Sequence, residues 1–318
     1  MSERTRHDRP SKANQPVDGL RLLATSGFAD YRLLDSGSAR KLERFGKIVV
    51  DRPEPQALWA PRLPTERWRS ADAIFSAEGD DEGGRWRSTG APLPESWPLR
   101  VKGITVHCRL SAFRHLGLFP EQLPHWDWMV ERIERLVRAG KGRPRVLNLF
   151  GYTGAATILA ARAGAEVVHV DASKKAIAWA RENQSASGLS DAPVRWLLDD
   201  ARKFVARETR RERAYHIVLL DPPPRGHGPG GELWEMFEHL PLLVRDCAKL
   251  LDRDSAGIVL TAYAVRLSAL SIGNVLGEAV AGRRGVLDVG ELAIREEGGG
   301  RVVPTSIYSR WCTHDLAR

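Results

Sequence analysis

Residues 145–156 read RVLNLFGYTGAA. Six residues suited to a buried strand run into Gly151-Tyr152-Thr153-Gly154 and then into small residues suited to a helix. Glycines let a ligand approach the backbone closely, and the start of a helix offers free N–H groups. The blander reading is a tight strand-to-helix turn that holds nothing. The spacing is not the GxGxxG of dinucleotide-binding proteins, which counts against a dehydrogenase.

The same rhythm continues downstream. RVLNLF (145–150), EVVHVD (166–171), VRWLLD (194–199), HIVLLD (216–221) and GIVLTA (257–262) read as strands, with helical stretches between them. Strands alternating with helices imply parallel βαβ units, an α/β fold with a doubly wound sheet. The strands lack strict polar alternation, as expected where helices cover both faces. GELAIREEGGGRVVPTSIYSRW (290–311) reads as a terminal hairpin around a Gly-rich turn. HWDWMVERIERLVRAG (125–140) has helical spacing, with Trp128, Met129, Ile133, Leu136 and Val137 on one face. Residues 17–110 carry many Pro, Gly and Trp residues, a loop-like EGDDEGG run (78–84) and an alternating VKGITVHCRL (101–110). They predict a small β-rich N-terminal region that serves the substrate, between a disordered arm over 1–16 and the main domain over 111–318.

In open α/β sheets, ligands bind beyond the carboxyl ends of the strands, and four strand ends carry suitable residues. The first is Phe150 with Gly151, Thr153 and Gly154. The second is Asp171 with Ala172 and Ser173, about twenty residues on, where a carboxylate can accept from ribose hydroxyls. Ser173 can cap the following helix, which frees Asp171. The third is Asp199-Asp200-Ala201, with Asp200 as contact to an exocyclic amine and Asp199 as cap or solvent-facing. The fourth is Asp221-Pro222-Pro223-Pro224, where three prolines fix the backbone and remove N–H donors. That rigid corner suits a flat amine-bearing group, although a merely stiff loop would look the same.

Together these ends resemble class I S-adenosylmethionine-dependent methyltransferases. LNLFGYTG, VDASKKAIAWARENQSASGL and LLDPPPRGHGPGGELWEM are similar to the bacterial 23S rRNA methyltransferase family that includes the large-subunit cytosine-C5 enzymes. The resemblance covers about residues 112–265. It implies a Rossmann-like fold with strand order 3-2-1-4-5-7-6, an antiparallel last strand and S-adenosyl-L-methionine as cofactor. By it, Asp171 is the ribose acid, Asp200 the adenine acid and Asp221-Pro222-Pro223 the catalytic corner. FRHLGLFPEQLPHWDWM (113–129) is similar to the segment in which Gly117, Phe119 and Gln122 close over the cofactor.

Two departures bear on chemistry. The first hundred residues do not resemble the PUA RNA-binding domain of those relatives. Cytosine-C5 transfer needs a thiolate to attack the ring, yet Ala262, Tyr263 and Ala264 stand where the relatives carry their Cys. Cys108, Cys247 and Cys312 lie elsewhere, without metal-ligand spacing. In-line transfer to a nitrogen requires alignment and a dry site, and no thiol. Asp221 and the Pro223 carbonyl are the groups expected to orient the acceptor, with Tyr263 or Trp234 as stacking partners and His227 as a proton acceptor.

The 318 residues carry a formal charge of +8, and a pI of about 9.7 favours anionic partners such as nucleic acid. RAGKGRPR (138–145) and RETRRERA (207–214) supply basic side chains, but both precede strands and so fall at the far end of the sheet. No apolar run reaches the length of a membrane span, and reduced thiols fit a cytoplasmic protein. The reading is therefore a methyltransferase of RNA, ribosomal RNA foremost. The alternatives are a protein or small-molecule methyltransferase and an RNA-binding protein with a non-catalytic cofactor pocket. Oligomeric state is not legible.

Overall fold

The computed structural model describes residues 19–317 apart from 78–82, 141, 254, 264, 265 and 299. The arm expected over 1–16, most of the EGDDEGG run, Lys141 and Ala264 lie outside the described residues. The chain opens with β1 (Arg21–Thr25), then builds β2 (Tyr31–Gly37), β3 (Arg40–Phe45) and β4 (Ile48–Pro53). After α1 (Thr65–Arg69), β5 (Ala73–Ala77) and β6 (Gly84–Ser88) complete a five-stranded sheet in the order β2-β3-β4-β5-β6. A separate antiparallel pair follows, β7 (Trp97–Val101) and β8 (Ile104–Cys108). Alternate residues of this pair are buried, as the period of a half-buried strand requires.

Next comes α2 (Leu123–Arg138), whose Trp128, Met129, Ile133 and Leu136 are buried as expected. Val137 departs from that face and is exposed, because at 100° per residue it turns past the edge of the apolar stripe. The repeating units are β9 (Arg145–Leu149), α3 (Ala155–Arg162), β10 (Glu166–Asp171), α4 (Lys174–Ala186), β11 (Val194–Leu198), α5 (Ala201–Arg210) and β12 (Ile217–Leu220). A short hairpin of β13 (Arg225–His227) and β14 (Leu233–Glu235) precedes α6 (Met236–Lys249). The chain then runs through β15 (Gly257–Tyr263), α7 (Ala269–Ala279), β16 (Gly285–Arg295), β17 (Val302–Thr313) and α8 (His314–Ala317).

The main sheet has the order β1-β16-β17-β15-β12-β9-β10-β11. Read from β11, the seven strands other than β1 follow 3-2-1-4-5-7-6, and β17 runs antiparallel to both neighbours. The addition is an eighth strand, β1, which pairs parallel to β16 and ties the N-terminal region to the sheet edge. The chain order reverses between β9 and β12, so a crevice opens at their carboxyl ends. One core cluster runs from Tyr31, Phe45 and Val50 through Leu99 and Val106 to Met129, Val146 and Ile158. The N-terminal strands thus share apolar packing with the main domain, which fixes them against the crevice. Among the described residues, no helix is long and apolar enough to cross a membrane.

Candidate active site

The turn after β9 is built around strained backbone. Phe150 and Tyr152 take φ of +57° and +50°, and Gly154, at +81°, caps α3. Gly151 has no room for a side chain, since a Cβ there would lie 2.3 Å from the His169 ring. That ring is buried behind the turn with Nδ1 2.9 Å from the Thr157 hydroxyl, which in turn accepts from Asn148 at 2.9 Å. Burial pushes the His169 pKa down to about 3, so the imidazole is neutral. Thr153 faces away from the crevice: its hydroxyl donates to the Gly117 carbonyl at 2.5 Å, and Asn183 donates to its carbonyl at 2.9 Å.

At the tip of β10, Asp171 accepts backbone N–H bonds from Tyr152 and Ser173, both at 2.8 Å. One carboxylate therefore fixes the mouths of two consecutive turns. Ser173 caps α4 by accepting from Ala176 N–H at 3.2 Å, which leaves the remaining lone pairs of Asp171 for the crevice. Burial raises the Asp171 pKa, against the lowering effect of its two backbone donors. At the tip of β11 the cap falls to Asp200 and not to Asp199. Asp200 is the cap of α5, accepting from Lys203 N–H at 2.9 Å. Asp199 accepts from Asp200 N–H at 2.9 Å and pairs with Arg207, so that guanidinium reaches toward the crevice instead of the far end of the sheet.

At the tip of β12, the triple proline is held from behind. Trp234 Nε1–H donates to the Pro223 carbonyl at 2.7 Å, and Met236 N–H to the Pro224 carbonyl at 3.0 Å. The Pro223 carbonyl, expected to orient the acceptor, is thus already engaged. The buried Pro222 carbonyl is the one of the three without a hydrogen bond among the described residues. Trp234 is buried with its ring centroid 5.1 Å from that of Phe150. Asp221 Oδ2 accepts from Gln122 Nε2 at 3.1 Å, while the same amide donates to the Tyr263 hydroxyl at 3.0 Å. Asp221 Oδ1 is buried with no partner among the described residues. Burial and the neighbouring Glu121 charge push the Asp221 pKa up to about 8.

These strand ends share one cleft of about 770 Å³. Phe150, Asp171, Ala172, Ser173, Asp200, Ala201, Asp221, Pro222 and Pro223 line it, as do His227, Trp234 and Tyr263. Gly151 and Gln122 line a smaller chamber beneath, and Thr153 and Gly154 line neither. The cleft's opposite wall was not foreseen. It comes from the N-terminal sheet and includes Lys41, Arg52, Glu54 and Gln56, together with Glu121. Glu43, fully buried, holds Arg52 through bonds of 2.5 and 3.0 Å and accepts from the Tyr31 hydroxyl at 2.7 Å; Lys41 pairs with Glu54 at 3.0 Å. Charged residues on the inward side of KLERF were the available signal. The far-end arginines also gather, as Arg145, Arg211 and Arg213 meet Arg195 around a basin of about 210 Å³. All three cysteines are buried and none lines the cleft.

A cleft at the switch point of a 3-2-1-4-5-7-6 sheet, with an acid at the ends of β10, β11 and β12, defines a Rossmann-like methyltransferase fold. The SAM-dependent methyltransferase of Agrobacterium tumefaciens matches it at 47% identity over 96% of both chains, with a TM-score of 0.89. The chain belongs to the S-adenosylmethionine-dependent methyltransferases. Residues 127–246 match the family described as "Conserved hypothetical protein 95". The ribosomal RNA large subunit methyltransferase K/L of Shewanella baltica is 41% identical over 123 residues, 38% of this chain and 16% of that protein. The chain therefore spans about a sixth of the length of the curated relatives it matches. A Streptococcus mutans structure at 15% identity covers 87% of this chain and 75% of its own, with a TM-score of 0.64, and shares the fold alone.

The residues present fit the family's cofactor. The Gly151 turn leaves the backbone bare, Asp171 is anchored with lone pairs to spare, and a buried oxygen of Asp221 lacks a partner.

Proposed function

We propose that the protein methylates RNA, ribosomal RNA foremost, at a nitrogen atom. The observation that carries this reading is the corner where Asp221 and Pro222 line one cleft that no cysteine lines. Burial raises the Cys108, Cys247 and Cys312 thiols, which disfavours the thiolate that attack on a pyrimidine ring would need. The names of the ribosomal RNA relatives and the net charge of +8 support an RNA acceptor.

S-adenosylmethionine, when bound, supplies a methyl group on a positively charged sulfur leaving group. The chain supplies the rest. Asp171 accepts from the ribose hydroxyls, and Asp200, whose Oδ1 caps α5, offers its other oxygen to the adenine amine. The Pro222 carbonyl and Asp221 accept N–H bonds from the acceptor amine and align its lone pair. A carboxyl with a pKa of about 8 is matched to take a proton at neutral pH. Tyr263 and Phe119, with ring centroids 5.3 Å apart, wall the corner against water. Residues 19–110 contribute the acceptor-side wall as a substrate module, and the setting is cytoplasmic.

The test is incubation with labelled S-adenosylmethionine and undermethylated ribosomal RNA, followed by nucleoside analysis. Label in an N-methyl nucleoside is expected. Label in 5-methylcytosine would overturn the nitrogen assignment, and label confined to protein or small molecules would overturn the RNA assignment.

A further inference from the structure

The end of the main sheet opposite the crevice carries a basin of about 210 Å³ that methyl transfer leaves unused. Four arginines from separate parts of the chain line it. Arg145 opens β9, Arg195 lies on β11, and Arg211 and Arg213 follow α5. Between the last two, Glu212 takes a left-handed φ of +51°, which lets both flanking side chains line one basin. In a continuing helix they would stand about 200° apart. The floor is rigidly built. Glu208, 3% exposed, accepts from the Tyr215 hydroxyl at 2.7 Å and pairs with Arg211 at 3.3 Å. Arg145 donates to the Ala214 carbonyl and lies over the Tyr215 ring, 5.3 Å from its centroid. The side chains of Arg195 and Arg213 make no ion pair or hydrogen bond among the described residues. Glu166 is the other acid of the lining, so four guanidinium groups stand against two carboxylates and positive charge is left over.

Guanidinium forks suit phosphate oxygens, and unspent positive charge in a recess favours an anion. The surroundings of the basin say which anion. The chain leading into β9 adds Arg138 and Arg143 at the same end of the sheet, and the end of α5 adds Arg210. All three are exposed, with Glu212 as the acid beside them. A small free anion would need only the recess, whereas a chain of phosphates engages a run of cations. We propose that the basin holds a backbone phosphate of the RNA substrate, gripped by Arg195 and Arg213. The proposal rests on the RNA reading above and gives that RNA a second contact, away from the acceptor corner. The five residues of β9 separate basin from crevice, a span of about 16 Å at the rise of an extended strand. The sheet and its helices lie between the two sites. The phosphate held here therefore belongs to another stretch of the RNA than the acceptor nucleotide, and a folded RNA satisfies both.

Binding of undermethylated ribosomal RNA, measured across a salt series, tests it. Arg195→Ala with Arg213→Ala should make the plot of log affinity against log salt shallower by about 1.5. Binding at roughly 0.1 M salt should weaken about tenfold. Arg195→Lys with Arg213→Lys keeps the charge and should restore most of the slope; it also serves should the alanine pair not fold, by losing affinity through the missing forks. Arg245→Ala with Arg284→Ala removes the same charge from exposed positions outside the basin and should change the slope far less. S-adenosylhomocysteine affinity should hold in every pair. Equal shifts in the basin and control pairs, or a shift in neither, overturn the proposal. So does pyrophosphate that binds the unaltered protein and is lost in the alanine pair while the RNA slope holds, which would assign the basin to a small free anion. Label transfer to the same RNA separates the two readings. Transfer with an unchanged slope overturns this proposal alone, whereas a basin-dependent slope without transfer supports it and overturns the methylation reading.

Discussion

Gln122 Nε2 donates to Asp221 Oδ2 at 3.1 Å, joining the turn before α2 to the tip of β12. The same amide reaches the Tyr263 hydroxyl at 3.0 Å, so one side chain sets the orientation of two groups that line the cleft. Its amide lowers the Asp221 pKa, against the upward push of burial and of Glu121.

Gln122→Leu removes that donor and should raise the Asp221 pKa further. The rising limb of the pH–rate profile should then move to higher pH, and kcat near neutrality should fall by roughly tenfold. Donor affinity should change far less. A profile displaced in neither direction would show that Gln122 packs without positioning Asp221.

The Asp221 carboxyl also predicts how stability depends on pH. Its folded pKa of about 8 lies above the ordinary 3.8. The unfolded chain gives up this proton first, so the contribution is fully present below about pH 4 and is lost as pH rises toward about 8. Asp221→Asn removes the titration. The melting temperature of the variant relative to the unaltered protein should therefore climb between about pH 5 and 8 and level off above that. A constant difference across the range would contradict a buried, proton-holding Asp221.

The strands and their order were legible because β9, β10, β11, β12 and β15 are apolar runs that end on Gly, Asp or turn residues. The place of Asp171 at the tip of β10 was legible for the same reason, with Ser173 supplying the helix cap beside it. Which of Asp199 and Asp200 caps α5 was not, because adjacent acids at a strand end differ only in backbone direction. Asp200 sits at φ −76°, ψ 128° with its oxygen on the Lys203 N–H. The N-terminal wall was hidden because Glu43 and Arg52 read as solvent-facing charges in short strands. Only their pairing across β3 and β4, at 2.5 and 3.0 Å, makes full burial tolerable. The partner of β1 lies far along the chain at β16, and no local pattern announces so distant a pairing.

Asp171→Ala should weaken S-adenosylhomocysteine binding severely. Loss of the ligand's charge-assisted bonds accounts for about 1.5–3 kcal/mol. The substitution also frees Tyr152 and Ser173 N–H, which loosens both turns. Asp171→Asn keeps an acceptor oxygen and separates the effects: it should melt near the unaltered protein while still binding the ligand more weakly. Unchanged affinity by calorimetry in both variants would remove Asp171 from the site.

Gly151 and His169 form a pair whose coupling can be measured. A Cβ at Gly151 would lie 2.3 Å from the His169 ring and 3.0 Å from the Asn148 amide, both buried in the sheet. Gly151→Ala should cost about 1–3 kcal/mol through overpacking and should push the turn into the crevice. Shortening the ring in His169→Ala opens the space that the methyl needs, at the cost of its own cavity. The double variant should then be more stable than the two single losses add up to, by about 0.5–3 kcal/mol in denaturant titrations. Additive losses would mean that the bare backbone at Gly151 answers to the ligand alone. In that case donor binding should fall in Gly151→Ala with no compensating gain from the His169 change.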